Sequence, residues 1–165
     1  MATPPKPPMP LTRFLDAGRA GDLAKLHGVI DWGLSTACVI VSALAGVKDR
    51  DREQVARAGL SDIDQASRSV DRSRKLMLTE LCKFITQVTG TRKASAEEST
   101  WALREGVVVA PPPNGLSPGT AQRLDTHRAR AARVAEVWVA ERGAEAPIWL
   151  AITPERDRVV LVSKL

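Results

Sequence analysis

The chain has no tyrosine, and four tryptophans and two phenylalanines are its only aromatic side chains among 165 residues. Leu, Val, Ile and Ala must therefore supply most of the apolar core. The hydrophobic fraction, 44%, is ordinary for a globular protein and argues against general disorder. A chain of this length fits one domain, and it buries enough surface to need no disulfide or metal in its core.

Cysteine is almost absent too. Cys38 and Cys82 each lie in an apolar, helical-looking stretch, and neither has the spacing of a redox pair or a metal site. This excludes a disulfide framework and predicts that both thiols are reduced and buried.

Segments that direct a protein out of the cell or into a membrane are also missing. Residues 1–10, MATPPKPPMP, lack the apolar stretch of a signal peptide, so we expect a cytoplasmic or virion location. The longest uncharged run, Trp32–Val47, is shorter than the roughly 20 residues of a membrane-spanning helix. It predicts a buried core helix, and no membrane partner is expected.

Catalytic patterns are missing as well. His27 and His127 lie on different predicted helices, and neither has a second metal ligand at a suitable spacing. No GxSxG, HExxH, paired CxxC or phosphate-binding loop occurs. The sequence predicts no enzyme, no cofactor, no metal and no small-molecule substrate.

Apolar periodicity predicts a mainly α fold: a helical bundle with an extended Pro-rich N-terminal arm and a short C-terminal β-hairpin. The predicted division is an arm at 1–10, a bundle at 11–110, a linker at 111–116, and a C-terminal helix plus hairpin at 117–165.

Within these limits, helices are predicted at 11–17, 22–45, 62–89, 95–104 and 117–142, and strands at 148–153 and 158–163. Gly59 and Gly143 are expected to end helices, while Ser61 and Ser117 are expected to begin them. The C-terminal half of the 62–89 helix is expected to be buried nearly all round, and Trp101 to anchor the 95–104 helix.

Basic residues exceed acidic ones by five, and Arg is much commoner than Lys. Rows at near-helical spacing predict a nucleic-acid backbone interface formed by Arg50, Arg52, Arg68, Arg72, Lys75, Arg123, Arg130 and Arg133. Two alternatives stay open: solvated faces neutralised by neighbouring carboxylates, and an Arg excess that reflects only a GC-rich genome. No aromatic residue is interleaved with the rows, which favours sequence-independent phosphate contact over base stacking.

Residues 41–90 resemble the coat proteins of rod-shaped plant viruses of the tobamovirus type. The stretch VSALAGVKDRDR, Val41–Arg52, is similar to their small-aliphatic helix followed by an Asp- and Arg-rich segment that faces RNA. The stretch RSVDRS, Arg68–Ser73, is similar to their Arg-Val-Asp motif, and a long apolar helix follows in both. The resemblance implies a helical bundle with Arg50, Arg52 and Arg68 towards the nucleic acid.

The favoured function is therefore a structural, self-assembling protein, a homo-oligomer that binds RNA or DNA through its basic rows without sequence specificity. The Pro-rich arm suits a segment that reaches across a neighbouring copy. The alternative is a bacterial or phage assembly adaptor with no nucleic-acid role. A more distant alternative is a regulator that binds DNA as a dimer.

Overall fold

A computed structural model describes residues 3–162 of the chain. Within that range seven helices hold 57% of the residues, and four strands form one antiparallel sheet. The prediction of a mainly α protein is confirmed, whereas the bundle and the N-terminal arm are not.

The helices are α1 (Met9–Ala20), α2 (Leu23–Val29), α3 (Trp32–Leu44), α4 (Asp49–Arg68), α5 (Arg72–Thr86), α6 (Ala96–Gly106) and α7 (Pro118–Ala131). The strands are β1 (Gly90–Lys93), β2 (Val137–Arg142), β3 (Glu145–Ile152) and β4 (Val159–Leu161). They lie in the order β1-β2-β3-β4, and all neighbours are antiparallel. No helix in residues 3–162 is long and apolar enough to cross a membrane.

The sheet lies between two apolar clusters, because successive side chains of a strand point to opposite faces. Leu150 and Ile152 pack with core residues of α1, α2 and α5. Ala151 packs on the other side with core residues of α3, α6 and α7. The central strands are thus covered on both faces by helices, and β2 is buried from Val137 to Ala140.

The helix predicted at 22–45 is two helices. The chain leaves α2 at Ile30, which forms a parallel bridge with Val159 of β4. The Asp31 amide donates to the Val159 carbonyl at 2.8 Å, and the Asp31 carboxylate accepts the Leu34 amide at 2.9 Å. Pairing with a distant strand therefore interrupts the helix, and Asp31 starts a new one as its N-cap.

The predicted boundary at Gly59 and Ser61 was wrong, since α4 runs through both residues. A Cβ on Gly59 would lie 3.1 Å from Ile40 of α3, so this glycine allows two helices to approach closely. The chain breaks later, at 69–71, where the Asp71 carboxylate accepts the Arg74 amide and caps α5.

The C-terminal prediction needs two corrections. Helix α7 ends at Ala131 instead of Arg142, and residues 137–142 form β2. Gly143 has φ 63° in the turn between β2 and β3, so it reverses a strand instead of ending a helix. The hairpin exists as β3–β4, but within a sheet of four strands; Ser163 lies outside the described residues.

Other local predictions are confirmed. Ser95 forms a capping box with Glu98 at the start of α6, and Ser117 caps α7 directly before Pro118. Cys38 and Cys82 are buried and form no disulfide, and the Cys38 thiol donates to the Gly106 carbonyl at 3.1 Å. Helix α1 begins at Met9, earlier than expected, so the irregular N-terminal segment ends at Pro8. The division at 111–116 stays a prediction.

Candidate interaction surface

The eight basic residues of the predicted nucleic-acid interface fall into two groups. Three are held by ion pairs or hydrogen bonds within the fold: Arg52, Arg123 and Arg130. The other five are exposed: Arg50, Arg68, Arg72, Lys75 and Arg133. Of these, Arg50 pairs with the adjacent Asp51 at 3.9 Å. The structure therefore does not bring the eight residues together as one uniform surface.

Arg52 is committed to backbone carbonyl groups. Its side chain is only 16% exposed, and its Nε donates to the carbonyls of Leu44 and Val47. Its Nη1 donates to Asn114 at 3.0 Å and to the Asp49 carboxylate. Arg52 thus satisfies the C-terminal carbonyls of α3 and ties that end to the segment before α7.

Arg130 belongs to an ion cluster around the buried Asp31 carboxylate. Its Nη1 donates to Asp31 at 2.6 Å, and its Nε and Nη2 donate to Glu155 at 3.0 and 2.7 Å. Arg158 reaches the same Asp31 carboxylate at 3.1 Å, and the Asp31 side chain is 3% exposed. The hydrogen bonds from Arg130 lower the pKa of Glu155 to about 2. We call Asp31, Arg130, Glu155 and Arg158 the Asp31 cluster.

Both histidines have packing roles. The His27 ring lies 2.5 Å, through Nε2, from the Ala66 carbonyl oxygen, and it stacks beside Trp32. His127 packs against Gly33, and burial lowers its pKa while the nearby Asp31 opposes that shift. Among residues 3–162 no group of three His, Cys, Asp or Glu side chains could hold a metal ion.

A second basic feature surrounds the break between α4 and α5. Arg68 ends α4, Arg72 begins α5, and Lys75 follows one turn later; all three side chains are exposed. None of the three forms an ion pair within residues 3–162. We call these three residues the basic elbow.

An apolar groove that no sequence pattern predicts lies against strands β3 and β4. It has a volume of about 410 Å³, and its apolar walls include Leu81, Phe84, Trp101, Ile148, Trp149 and Leu161. We call it the aromatic groove, since three of the six Trp and Phe side chains line it. Its walls come from α5, α6, β3 and β4, which are far apart in the chain.

Ring contacts hold the walls of the groove in place. Trp101 and Trp149 meet edge to face, with centroids 5.6 Å apart at 73°. The Arg142 guanidinium lies 4.5 Å from the Phe84 ring centroid and donates to Gln87 and to the Ala146 carbonyl. The groove is thus a preformed apolar surface rather than a gap between mobile side chains.

Much of this aromatic surface is open to solvent. Trp101 and Phe84 are each 39% exposed, and Leu76, also on α5 but outside the groove, is 68% exposed. The expectation that the C-terminal half of the 62–89 helix is buried nearly all round was therefore wrong. Trp101 does anchor α6, but it does so by contacting another partly exposed tryptophan instead of entering the core.

A larger cleft, of about 560 Å³, lies between α1 and α2. Its charged walls carry both signs, with Arg13 and Lys25 facing Asp16, Asp22 and Asp157. Lys25 and Asp22 lie 4.0 Å apart as an ion pair. These charges largely neutralise one another, so the cleft selects neither an anion nor a cation.

No protein-family model matches the chain, and no curated protein or solved structure matches it significantly. The resemblance of residues 41–90 to tobamovirus-type coat proteins stays a prediction.

Proposed function

We propose that the protein is a non-catalytic structural protein that self-associates through the aromatic groove. The observation that carries this proposal is the solvent exposure of Phe84 and Trp101 in a preformed apolar groove. Aromatic side chains are the residues that most often dominate binding energy at protein interfaces. Burying them against another chain removes apolar surface from water at about 25 cal/mol per Å². Such a protein would act in the cytoplasm or in a virion.

The character of the groove favours a polypeptide over a small molecule. Small-molecule sites combine apolar walls with several convergent polar groups that fix the ligand. Among residues 3–162, Arg142 is the only charged residue that lines the groove, and its three guanidinium nitrogens already donate to Gln87 and to the Ala146 carbonyl. An extended, mostly apolar polypeptide segment fits these walls better than a polar metabolite does.

Sedimentation of the full chain from about 1 µM to about 1 mM tests the proposal, because this range covers binding free energies of about −8 to −4 kcal/mol. We expect the wild type to associate. We expect Trp101→Ser to weaken association at least tenfold, because loss of an aromatic anchor costs about 2 kcal/mol or more.

Leu76→Ser is the matched control, since Leu76 is an exposed apolar residue of α5 that does not line the groove. Wild type that stays monomeric throughout, or a control that weakens association as much as Trp101→Ser does, would overturn the proposal. Circular dichroism of each variant verifies that it is folded.

A second candidate function is sequence-independent nucleic-acid binding through the basic elbow. The supporting observation is that Arg68, Arg72 and Lys75 are exposed without a carboxylate partner in residues 3–162. Cations of this kind bind phosphates by releasing condensed counterions, so their affinity falls as salt rises. Without such binding, the protein acts only as an interaction adaptor.

The double variant Arg68→Ala/Arg72→Ala tests this candidate. We expect the plot of log affinity against log salt to flatten by about two units, because each lost phosphate contact removes about 0.9. Arg57→Ala is the control: Arg57 is exposed on α4, the helix that ends at Arg68, but lies 4.0 Å from the Glu53 carboxylate. A wild-type chain without salt-dependent binding near physiological ionic strength would eliminate the candidate.

A further inference from the structure

The segment before α1 is rich in proline, a composition that favours the extended polyproline II backbone, and it ends at Pro8, the N-cap of α1. Pro8 has φ −66° and ψ 153°, close to the polyproline II values of about −75° and 145°. Prolines also occupy positions 4, 5 and 7, and each ring fixes its own φ near −65°. Such a segment is extended before it binds, so it loses little conformational entropy on docking.

This segment is available for binding. Residues 3–6 are exposed, whereas Pro8 is buried where α1 begins. The exposed part is therefore not seated in the aromatic groove of its own chain. Because polyproline II has three residues per turn, Pro4 and Pro7 present their rings on the same edge of the segment.

We propose that the aromatic groove binds the proline-rich segment, residues 4–7, of a second copy of this chain. This inference rests on the proposed function and names the element that the groove binds. Grooves lined by aromatic side chains are the general receptors for polyproline II segments, because flat rings pack against proline rings. The exposed Phe84 and Trp101 and the adjacent Trp149 provide such a lining.

Charge gives the docked segment a direction. Lys6 lies between the two proline pairs and is exposed. Glu97 lines a shallow cleft that adjoins the groove and shares Trp101 with it; Arg104 lines the same cleft, and its charge is offset by an ion pair with Glu105 at 3.3 Å. Glu97 is exposed and has no ion-pair partner among the described residues. With the prolines against the aromatic rings, Lys6 of one copy pairs with Glu97 of the next.

An interface of this kind is heterologous, because a segment of one copy meets a different surface on the other. Copies joined in this way form rings or open chains, whereas a groove packed against an identical groove would stop at a symmetric dimer. This difference makes the occupant of the groove measurable by mixing two full-length variants.

The first variant, Phe84→Ser/Trp101→Ser, has a damaged groove and an intact proline-rich segment. The second, Pro4→Ala/Pro5→Ala/Pro7→Ala, has a damaged segment and an intact groove, and it keeps the buried Pro8. We expect each alone to associate at least tenfold more weakly than wild type. We expect their equimolar mixture to form 1:1 heterodimers, in which the intact segment of the first variant occupies the intact groove of the second. These heterodimers should not grow further, because only a damaged groove and a damaged segment remain unoccupied.

A charge swap tests the direction of docking. Lys6→Glu and Glu97→Lys should each weaken association about two- to fivefold, as is usual for exposed ion pairs. The double variant should regain most of the wild-type affinity. If both single variants associate more weakly and the double variant does not recover, Lys6 and Glu97 do not pair.

Every other result of these experiments contradicts one particular part of the proposal. If the proline variant alone associates like wild type, the groove binds something other than the segment, while self-association through the groove stands. If both variants are monomeric and their mixture is too, the segment and the groove do not meet. If wild type is monomeric but the proline variant changes its tryptophan fluorescence, the segment occupies its own groove. If wild type is monomeric and the fluorescence is unchanged, the proposed self-association fails as well.

Discussion

The Asp31 cluster and the basic elbow contain the same kinds of side chain in opposite situations. Arg130 and Arg158 converge on one buried carboxylate, whereas Arg68 and Arg72 have no carboxylate partner within the described residues. In the sequence Arg130, Arg68 and Arg72 all look like basic residues on amphipathic helices. The comparison teaches that the role of an arginine here depends on whether the tertiary fold brings a carboxylate to it.

The largest effect is expected at Asp31, whose replacement leaves Arg130 and Arg158 without their buried partner. Asp31→Ala should lower the free energy of unfolding by about 3 kcal/mol, because it removes both the N-cap of α3 and the buried carboxylate that two arginines share. Urea denaturation followed by circular dichroism measures this.

Asp22→Ala sharpens this test, since Asp22 caps α2 as Asp31 caps α3. The Asp22 side chain is 39% exposed and pairs only with Lys25. Its loss should cost about 1 kcal/mol, the usual value for an N-cap. Equal losses for the two variants would show that the Asp31 cluster adds nothing beyond capping.

A smaller effect is expected at Arg52. Arg52→Ala removes the side-chain donor to the carbonyls of Val47 and Asn114, and one of two donors to the Leu44 carbonyl, and should destabilise by about 2 kcal/mol. Arg50 is the control two residues away: its side chain is 77% exposed, and Arg50→Ala should stay within about 0.5 kcal/mol. Chemical denaturation of the two variants in parallel decides between a structural and a surface role.

A still smaller effect, dependent on pH, is expected at Glu155. Its pKa is lowered from 4.5 to about 2 in the folded chain, so its ionised form stabilises the fold above about pH 4.5. That contribution is lost as the pH falls towards 2. Wild type should therefore exceed Glu155→Gln in stability at pH 7, and the difference should shrink between about pH 5 and pH 3. A difference that is constant with pH would contradict the pairing with Arg130.

The smallest effect on stability is expected at the basic elbow. Arg68→Ala and Arg72→Ala should each change the free energy of unfolding by no more than about 0.5 kcal/mol, because neither side chain pairs within the described residues. Urea denaturation measures this. If either variant loses more than about 1 kcal/mol, its arginine contributes to the stability of the fold, as Arg52 and Arg130 do.

Local chemistry allowed several boundaries to be predicted from the sequence. The helix starts at Ser95 and Ser117 depend on residues within three positions of each other, so a short stretch of sequence is enough to predict them. Strand β2 was missed because helices cover both of its faces. Val137–Ala140 therefore show no alternation of buried and exposed residues.

Tertiary contacts account for the other errors. Ile30 leaves its helix to pair with Val159, and Gly59 stays helical because Ile40 packs against it. The aromatic groove was invisible for the same reason, since α5, α6, β3 and β4 each supply only part of it. The chain has few aromatic residues, but nothing in the linear pattern predicts that Phe84 and Trp149 line the same groove.

The pairing of residue 31 with residues 130 and 158 also bears on how the chain folds. Helix α3 begins at a carboxylate whose guanidinium partners come about 100 residues or more later along the chain. Leu161 likewise donates to the Ser35 hydroxyl across a separation of 126 residues. Contacts of such high contact order form late, because a long loop must close first. During synthesis the Asp31 carboxylate at the start of α3 therefore stays in water until β4 has been made, and only then can the N-terminal helices complete their packing.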